Sequence, residues 1–177
     1  MTRLGGIQPL VPPNNLLKQG LVIMSVKLLN IVALGAICIA AVSAYAQKKN
    51  NTIEANKKVV YDFYRFVWEP RNVDAFSEYT SPSYIEHNPN FPGPRENIIR
   101  ALKSGNLGNW STPKKVEDSL KDPPDMIVAE GDIVQWIFKR HTKDPKDPTK
   151  TYESFWYDTF RIKDGKIVEH WDNALVR

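Results

Sequence analysis

The chain has 177 residues, a formal net charge of +4 and 42% hydrophobic residues. Three of its 24 basic residues (Arg3, Lys18 and Lys27) and its single cysteine, Cys38, precede residue 47, so residues 47–177 contain no disulfide, thiol nucleophile or cysteine metal site. The remaining 21 basic residues are interspersed with all 20 acidic residues and form no basic stripe, which argues against a nucleic-acid partner.

Residues 24–46 have the pattern of a secretory signal peptide. A short cationic start with Lys27 precedes an apolar run, residues 28–42, and Ala44-Tyr45-Ala46 forms a cleavage motif before Gln47. The apolar run is too short to span a bilayer comfortably, although an uncleaved membrane anchor is the alternative. We therefore predict a periplasmic or secreted protein that meets a membrane only through this segment, during export.

Residues 1–23 contain three prolines and no clear periodicity. We interpret them as an upstream extension, with Met24 as the true start, and a disordered leader is the alternative. Residues 47–177 are then one domain, long enough to bury about two thirds of the surface that its unfolded chain exposes.

The domain begins with predicted helices. Thr52 is placed to cap a helix whose apolar face includes Val60 and Phe63 and which ends near Glu69-Pro70. A short helix follows Asn72, and residues 84–87 form a brief extended segment. Pro94 then opens a third helix, from about Arg95 to Lys103.

The second half of the domain is predicted to be strands, at residues 113–120, 125–130, 133–141, 151–162 and 166–176. Helices followed by long antiparallel strands indicate an α+β fold, in which N-terminal helices cover one face of a curved antiparallel sheet. Such a sheet forms a cone, and a cone contains a pocket.

The last two strands are joined by a hairpin at Asp164-Gly165. A three-residue loop, 163–165, places the even-numbered residues of both strands on one face, so that Asp158, His170 and Asp172 share one space. A two-residue turn would instead place Asp158 and Asp172 on opposite faces. We favour the longer loop, because it gives the first strand an apolar even face of Trp156, Phe160 and Ile162.

Four segments carry a resemblance to a known family: YIEHNP at 84–89, EGDIV at 130–134, YDTFR at 157–161 and DGKIVEHWD at 164–172. In this order they resemble the SnoaL-like polyketide cyclase group of the nuclear transport factor 2-like superfamily, from about Asn56 to the C-terminus. The resemblance implies a cystatin-like cone that admits a small-molecule ligand or substrate, chemistry without metal or organic cofactor, and frequent homodimer formation through the outer sheet face.

The resemblance also implies candidate catalytic residues. Asp172 matches an aspartate that acts as general acid and base in an intramolecular aldol condensation. Asp158 falls where the cyclases place a polar pocket partner, and His87 matches a histidine after the first short helices. His170 shares the even face with both aspartates, and the predicted substrate contacts are Tyr84, Trp136, Trp156 and Phe160.

These residues suggest proton transfer on a small carbonyl substrate, of the cyclase or isomerase type. Asp172 removes a proton next to the carbonyl, and burial beside aromatic rings and a second carboxylate raises its pKa toward working pH. His170 or His87 orients Asp172 or protonates the product. A non-catalytic ligand-binding module of the same fold is the alternative, and an interaction domain acting through the outer sheet face is a third.

Overall fold

The structure, a computed structural model, describes residues 14–105 and 107–176, with side chains described from Ile37 onward. Residues 1–13 of the predicted upstream extension lie outside these ranges. The chain divides into two compact units, Met1–Lys48 and Lys49–Arg177. Helix α1 spans Asn14–Phe63 and contributes residues to both units.

In the first unit, the predicted signal peptide is part of α1. Its described apolar side chains are exposed, as Ile39 and Tyr45 illustrate with exposed fractions of 70% and 72%. Within the described ranges, no helix is both long enough and apolar enough to cross a membrane. The start at Met24, cleavage after Ala46 and export remain predictions.

In the second unit, α1 ends in a widened turn. The helix passes through Thr52 without a break, so the predicted cap at Thr52 is wrong. Beyond Phe63 the chain forms a π-helix, Tyr64–Trp68, in which the Glu69 N–H donates to the Tyr64 carbonyl at 2.9 Å. Pro70 then ends the helix, as predicted, because it has no N–H to donate.

Short elements connect this helix to the sheet: a 3₁₀ helix at Val73–Ala75, helix α2 at Phe76–Tyr79, strand β1 at Thr80–Glu86 and strand β2 at Gly93–Pro94. Helix α3 then spans Arg95–Lys103, the range predicted from sequence. Pro94 occupies its N-cap position, where an extended backbone suits proline.

Four longer strands complete a six-stranded sheet: β3 at Met126–Glu130, β4 at Ile133–Lys143, β5 at Thr151–Lys163 and β6 at Lys166–Asp172. The strand order is β2-β1-β6-β5-β4-β3. Neighbouring strands are antiparallel except β1 and β6, which are parallel and place Glu86 opposite His170. The predicted α+β fold with a curved sheet is confirmed, but the sheet is mixed where a purely antiparallel one was expected.

The inner face of the sheet forms the core with α1. Alternate residues of β4 (Val134, Trp136 and Phe138) are buried, as are Phe160 and Ile162 of β5. The α1 and π-helix residues Val60, Phe63, Tyr64 and Val67 recur at helical spacing and pack on them. The Tyr64 and Trp136 rings stack at 4.3 Å between centroids.

The predicted strand at 113–120 is wrong, because this segment forms its hydrogen bonds with the helical region before it. The Lys114 N–H donates to the Pro70 carbonyl at 2.7 Å, and the Arg65 side chain donates to the Glu117 carbonyl at 2.8 Å. The Glu69 carboxylate accepts the backbone N–H groups that follow, from Lys121 and Asp122. These contacts replace the strand partners that a ladder would supply.

The β5–β6 hairpin has a different turn from the predicted one, but its aspartate side chains point to the predicted face of the sheet. Asp164 and Gly165 form a two-residue turn with φ of 51° and 73°, and Lys163 pairs with Lys166. Positive φ at both positions is the type I′ geometry, whose twist matches that of paired strands. The predicted three-residue loop is therefore wrong.

A β-bulge in β6 restores the predicted orientation of the side chains. Ile162 pairs with Ile167, but Arg161 pairs with Glu169, so Val168 is an extra residue in β6. The shift of one residue places Asp158 opposite Asp172 and returns both to one face; the longer loop would also have kept them on one face, but with Asp158 opposite His170. Both aspartates lie on the inner face because the turn and the bulge compensate each other.

Strand β6 ends at Asp172, short of the predicted end at residue 176. The side chain of Asn173 takes the place of a backbone ladder: its amide oxygen accepts the Tyr157 N–H at 3.0 Å, and its amide nitrogen donates to the Phe155 carbonyl at 3.2 Å. Because the Asn173 side chain bonds to these backbone groups of β5, the backbone beyond Asp172 does not need to pair with β5 and can leave the sheet.

The turn gives a stability prediction. Gly165→Ala should lower the free energy of unfolding by about 1–2 kcal/mol, because a side chain at positive φ is strained while a methyl group at this site meets no atom within 4 Å. Gly165→Asn is the matched control and should lose less, since asparagine tolerates this conformation. Urea denaturation measures both, and an alanine variant as stable as the wild type would contradict the assigned turn.

Candidate active site

A cavity of about 1120 Å³ opens on the inner face of the sheet. Its apolar wall comes from the helical segments, the loop between β1 and β2, and strands β4 and β5, and includes Phe63, Phe91, Ile98, Phe138, Trp156 and Phe160. A group of acidic and hydrogen-bonding side chains interrupts this wall, where β1, β5 and β6 lie side by side.

His170 lies at the centre of that group, between two carboxylates. Its Nδ1 is 2.8 Å from Oε1 of Glu86, and its Nε2 is 3.3 Å from Oδ1 of Asp158. Both acids are buried, with exposed fractions of 2% and 9%. An imidazole with a carboxylate on each side satisfies both by carrying two N–H groups, the protonated form.

Each of these carboxylates has further donors. Asp158 accepts the Tyr64 hydroxyl on Oδ2 and the Trp156 indole N–H on Oδ1, the latter at 2.7 Å. Glu86 accepts the Tyr84 hydroxyl at 2.5 Å and the Asn88 backbone N–H at 3.0 Å. A hydrogen-bonded chain thus runs from Tyr84 through Glu86, His170 and Asp158 to Tyr64.

The pKa values follow from this arrangement. Burial alone would lower the pKa of His170, but its hydrogen bonds to Asp158 and Glu86, with their negative charges, raise the pKa to about 10. Burial alone would raise the pKa of Asp158 and of Glu86, but the hydrogen bonds and positive charge of His170 hold both below their usual values. At neutral pH the triad therefore carries one positive and two negative charges.

The raised pKa expected from the sequence was assigned to Asp172, and it stays a prediction. In the two triad carboxylates a buried cation outweighs the effect of burial and lowers the pKa of Asp158 and of Glu86.

Asp172 lies outside the triad and faces the same cavity. It pairs with Asp158 across the β5–β6 ladder and is half-buried. Its Oδ2 accepts the Asn88 side-chain amide at 2.6 Å, and its Oδ1 accepts the Ala174 N–H at 3.0 Å. These two bonds fix the orientation of a carboxylate that has contact with the cavity.

Asp158, His170 and Asp172 each offer one possible metal-ligand atom, and these atoms lie within 4.8 Å of one another. Ligation by His170 requires an unprotonated nitrogen, whereas both nitrogens of His170 face carboxylates and its pKa is about 10. The donor set therefore fits a metal poorly while the triad is intact.

The structure brings six of the eight predicted site residues to the cavity wall: Asp172, Asp158, His170, Trp156, Phe160 and Tyr84. Phe160 lies against the imidazole, with ring centroids 4.9 Å apart. Trp156 and Tyr84 line the cavity and also donate to the two triad carboxylates. Whether these residues act in catalysis or substrate binding remains a prediction.

The other two predicted residues lie elsewhere. The His87 ring stacks on Trp171 at 4.7 Å and lies 3.0 Å from the Glu169 carboxylate, and His87 is not among the residues that line the cavity. Trp136 is fully buried beneath Tyr64, and in the described part of the chain its indole N–H has no hydrogen-bond partner. Trp136 supports the cavity wall without lining it.

Glu86, Tyr64 and Asn88 were missed from the sequence. Alternation along β1 was the available signal for Glu86, because Tyr84 and Glu86 share one face of the strand while Ile85 and His87 share the other. Nothing in the sequence indicated Tyr64, whose contact with Asp158 joins residues 94 positions apart.

Comparison with known proteins gives a family and several related structures. The SnoaL-like domain matches residues 60–170. IdmH, a proposed polyketide cyclase from Streptomyces antibioticus, is 20% identical, with 66% of this chain and 89% of that chain covered and a TM-score of 0.43. A proposed polyketide cyclase from Sinorhizobium meliloti is 16% identical, with 66% and 94% covered and a TM-score of 0.45.

A protein with a cystatin-like fold from Xanthomonas campestris is 20% identical, with 66% of this chain and 88% of that chain covered and a TM-score of 0.45. No curated protein matches the chain. Since the family match covers more than half of the 177 residues, the family expected from sequence is confirmed: the chain belongs to the SnoaL-like domain family.

Proposed function

We propose that this SnoaL-like domain is an enzyme that works without a cofactor and transfers a proton from carbon to Asp172 on a small carbonyl substrate, in an aldol-condensation, cyclase or isomerase reaction. The observation that carries the proposal is the Asp172 carboxylate, which faces the cavity directly across the ladder from the Glu86–His170–Asp158 triad.

Asp172 is the acid best placed to act as the base. Asp158 already accepts hydrogen bonds from Tyr64, Trp156 and His170. The two bonds to Asp172 come from neutral amides, which hold the side chain without neutralising it. A fixed carboxylate with contact to the cavity has the geometry that proton abstraction needs.

Charge favours the transfer. With Asp172 ionised, an oxygen of Asp172 lies within 4.8 Å of an oxygen of Asp158, and two like charges at this distance repel each other. When Asp172 takes a proton from the substrate carbon, that repulsion ends and the negative charge moves to the enolate oxygen. The buried imidazolium of His170 keeps Asp158 ionised beside Asp172, and this maintains the repulsion until the proton is transferred.

His170 therefore has an electrostatic role in this proposal. Its N–H groups are both directed at carboxylates, so it is poorly placed to deliver a proton to the product directly. His87 lies against Glu169 and Trp171, and the mechanism does not require it.

The second candidate function is a non-catalytic module that binds a small ligand. The size of the cavity and the lowered pKa values of Asp158 and Glu86 favour it, because neither acid is tuned toward neutral pH. The two candidates differ in whether a bound carbonyl compound loses a carbon-bound proton.

Homodimer formation is proposed through the outer face of the sheet. Met126, Val128 and Tyr157 are apolar residues on this face, with exposed fractions of 57%, 49% and 37%. Contact between copies would cover this surface and leave the cavity, on the opposite face, accessible.

The catalytic proposal predicts exchange of carbon-bound hydrogen for deuterium. In D₂O, the wild type should accelerate exchange next to the carbonyl in β-keto esters and aryl ketones, and Asp172→Asn should lose about 100-fold or more of that rate. Asp74→Asn, at an exposed position outside the cavity, is the matched control. Nuclear magnetic resonance measures the exchange.

Undiminished exchange in the Asp172→Asn variant would exclude Asp172 as the base. Binding of these compounds by the wild type without any exchange would instead favour the ligand-binding module.

The triad predicts how stability depends on pH. His170 has a pKa near ~6.5 when unfolded and about 10 when folded, so its stabilising contribution is complete below about pH 6.5 and disappears as pH rises through 10. The lowered pKa values of Asp158 and Glu86 have the opposite sign: their contribution is present above their unfolded pKa values and disappears as pH falls. The free energy of unfolding should therefore fall between about pH 7 and pH 10.

His170→Gln should lower the free energy of unfolding at pH 7 by about 3–5 kcal/mol, because it leaves two buried carboxylates without their cation. Its stability should then improve as pH falls and those acids become protonated. His87→Gln removes a partly exposed contact between the imidazole and the Glu169 carboxylate and should cost less than about 1 kcal/mol. Urea titrations from pH 4 to pH 10 test this, and equal effects of the two substitutions would contradict a charged triad.

Export is also proposed, from the signal-peptide pattern at 24–46. When the full chain is expressed in a bacterium with a periplasm, we expect a periplasmic protein that begins at Gln47 in intact-mass measurements. Leu34→Arg interrupts the apolar run and should keep the protein in the cytoplasm with its leader attached. Wild-type protein that stays with the membrane fraction at full mass would favour the uncleaved anchor.

A further inference from the structure

An exposed basic side chain that the proposed proton transfer does not use, Arg140, is among the residues that line the cavity. Among the described residues that line the cavity, Arg140 is the only arginine or lysine, whereas five of them are acidic: Glu69, Glu86, Asp122, Asp158 and Asp172. The guanidinium of Arg140 has no hydrogen bond or ion pair with any other described residue. Its one ring contact is with Phe138, at 5.4 Å from guanidinium carbon to ring centroid.

The strand register places Arg140 on the cavity side of β4. Trp136, Phe138 and Arg140 alternate along one face of the strand, and Trp136 and Phe138 are buried on that face. The neighbouring Lys139 points to the other face and pairs with Glu153 at 3.0 Å. The positive charge of Arg140 acts on the interior, because it opposes the rise in the pKa of Tyr64 that burial and then Asp158 produce.

Polar groups lie next to Arg140 at the same level of the sheet. Ser154 is its partner across the β4–β5 ladder, and the Ser154 and Thr142 hydroxyls are 2.5 Å apart. Because one of these hydroxyls donates to the other, one O–H is left to donate to a ligand, and with the guanidinium it forms a set of donors suited to a carboxylate.

The distance between the two ends of the cavity limits the ligand. Trp136 pairs with Asp158, which pairs with Asp172, so Arg140 lies four residues along β4 from the level of the proposed base. Four residues of a strand span about 13 Å. Between the two levels the cavity wall is aromatic, formed by Phe138 and Trp156, which are also paired across the strands.

We propose that Arg140 is an anion subsite and that the ligand of this cavity is an elongated, largely apolar molecule with a carboxylate at the end remote from Asp172. The inference deepens the proposed function by naming its substrate class, and it rests on that function only in placing the reacting end at Asp172. Because the acidic lining residues repel a carboxylate, the unpartnered guanidinium of Arg140 is the place in this cavity where a ligand carboxylate is attracted.

The test uses a matched pair of probes, 4-biphenylcarboxylate and its methyl ester, which differ in charge and little in shape. Isothermal titration calorimetry should show that the wild type binds the carboxylate about tenfold more tightly than the ester, the lower end of what a hydrogen bond to a charged group contributes. Arg140→Gln should remove this preference, and Arg140→Lys should keep part of it.

Lys139→Gln is the control, because it removes a positive charge from the adjacent residue on the opposite face, and it should leave the preference unchanged. Asp172→Asn should also keep the preference while losing hydrogen exchange, so failure of the proton-transfer proposal and failure of the subsite are distinguishable. A carboxylate preference that survives in Arg140→Gln, or a wild type that binds the ester as tightly as the carboxylate or binds neither probe, would overturn the subsite.

Discussion

The rest of this site depends on the buried imidazolium of His170. Two carboxylates, Glu86 and Asp158, lie in a largely apolar wall, where an uncompensated charge would be costly. A single ring with two N–H groups reaches both, and the hydroxyls of Tyr84 and Tyr64 complete the outer ends. Removing the ring would leave two buried acids without the cation between them. The arrangement of the site and the packing around it therefore both require His170.

The triad also ties the site to the topology of the sheet. Glu86 reaches His170 because β1 runs parallel to β6, and Asp158 reaches it because β5 runs antiparallel to β6. A slip of one residue in either ladder would turn one partner to the outer face. The buried charges are therefore satisfied in only one register of the three strands. Polar groups can select a single fold in this way, at a cost in stability that packing elsewhere offsets.

Local patterns in the sequence predicted what local physics determines. Helix α3 was bounded correctly because Pro94 and the residues after Lys103 fix its ends, and the even face of β5 was correct because Trp156, Phe160 and Ile162 alternate. Features that depend on distant parts of the chain were not predicted. The bulge at Val168 compensates for a turn of a different length, and the segment 113–120 forms hydrogen bonds with the helical region before it. Glu86 was missed for the same reason, since its partner is 84 residues away.

The two aspartates that pair across the β5–β6 ladder have different hydrogen-bond partners, and these give them different chemical roles. Asp158 and Asp172 lie directly opposite each other, yet Asp158 is held by a cation and two neutral donors, whereas Asp172 is held by amides alone. A carboxylate that already compensates a buried cation is a poor proton acceptor, because protonation would leave that cation unpaired. The acid outside the triad has no such penalty. The triad alone supplies no carboxylate free of this penalty, so the proposed proton transfer depends on Asp172.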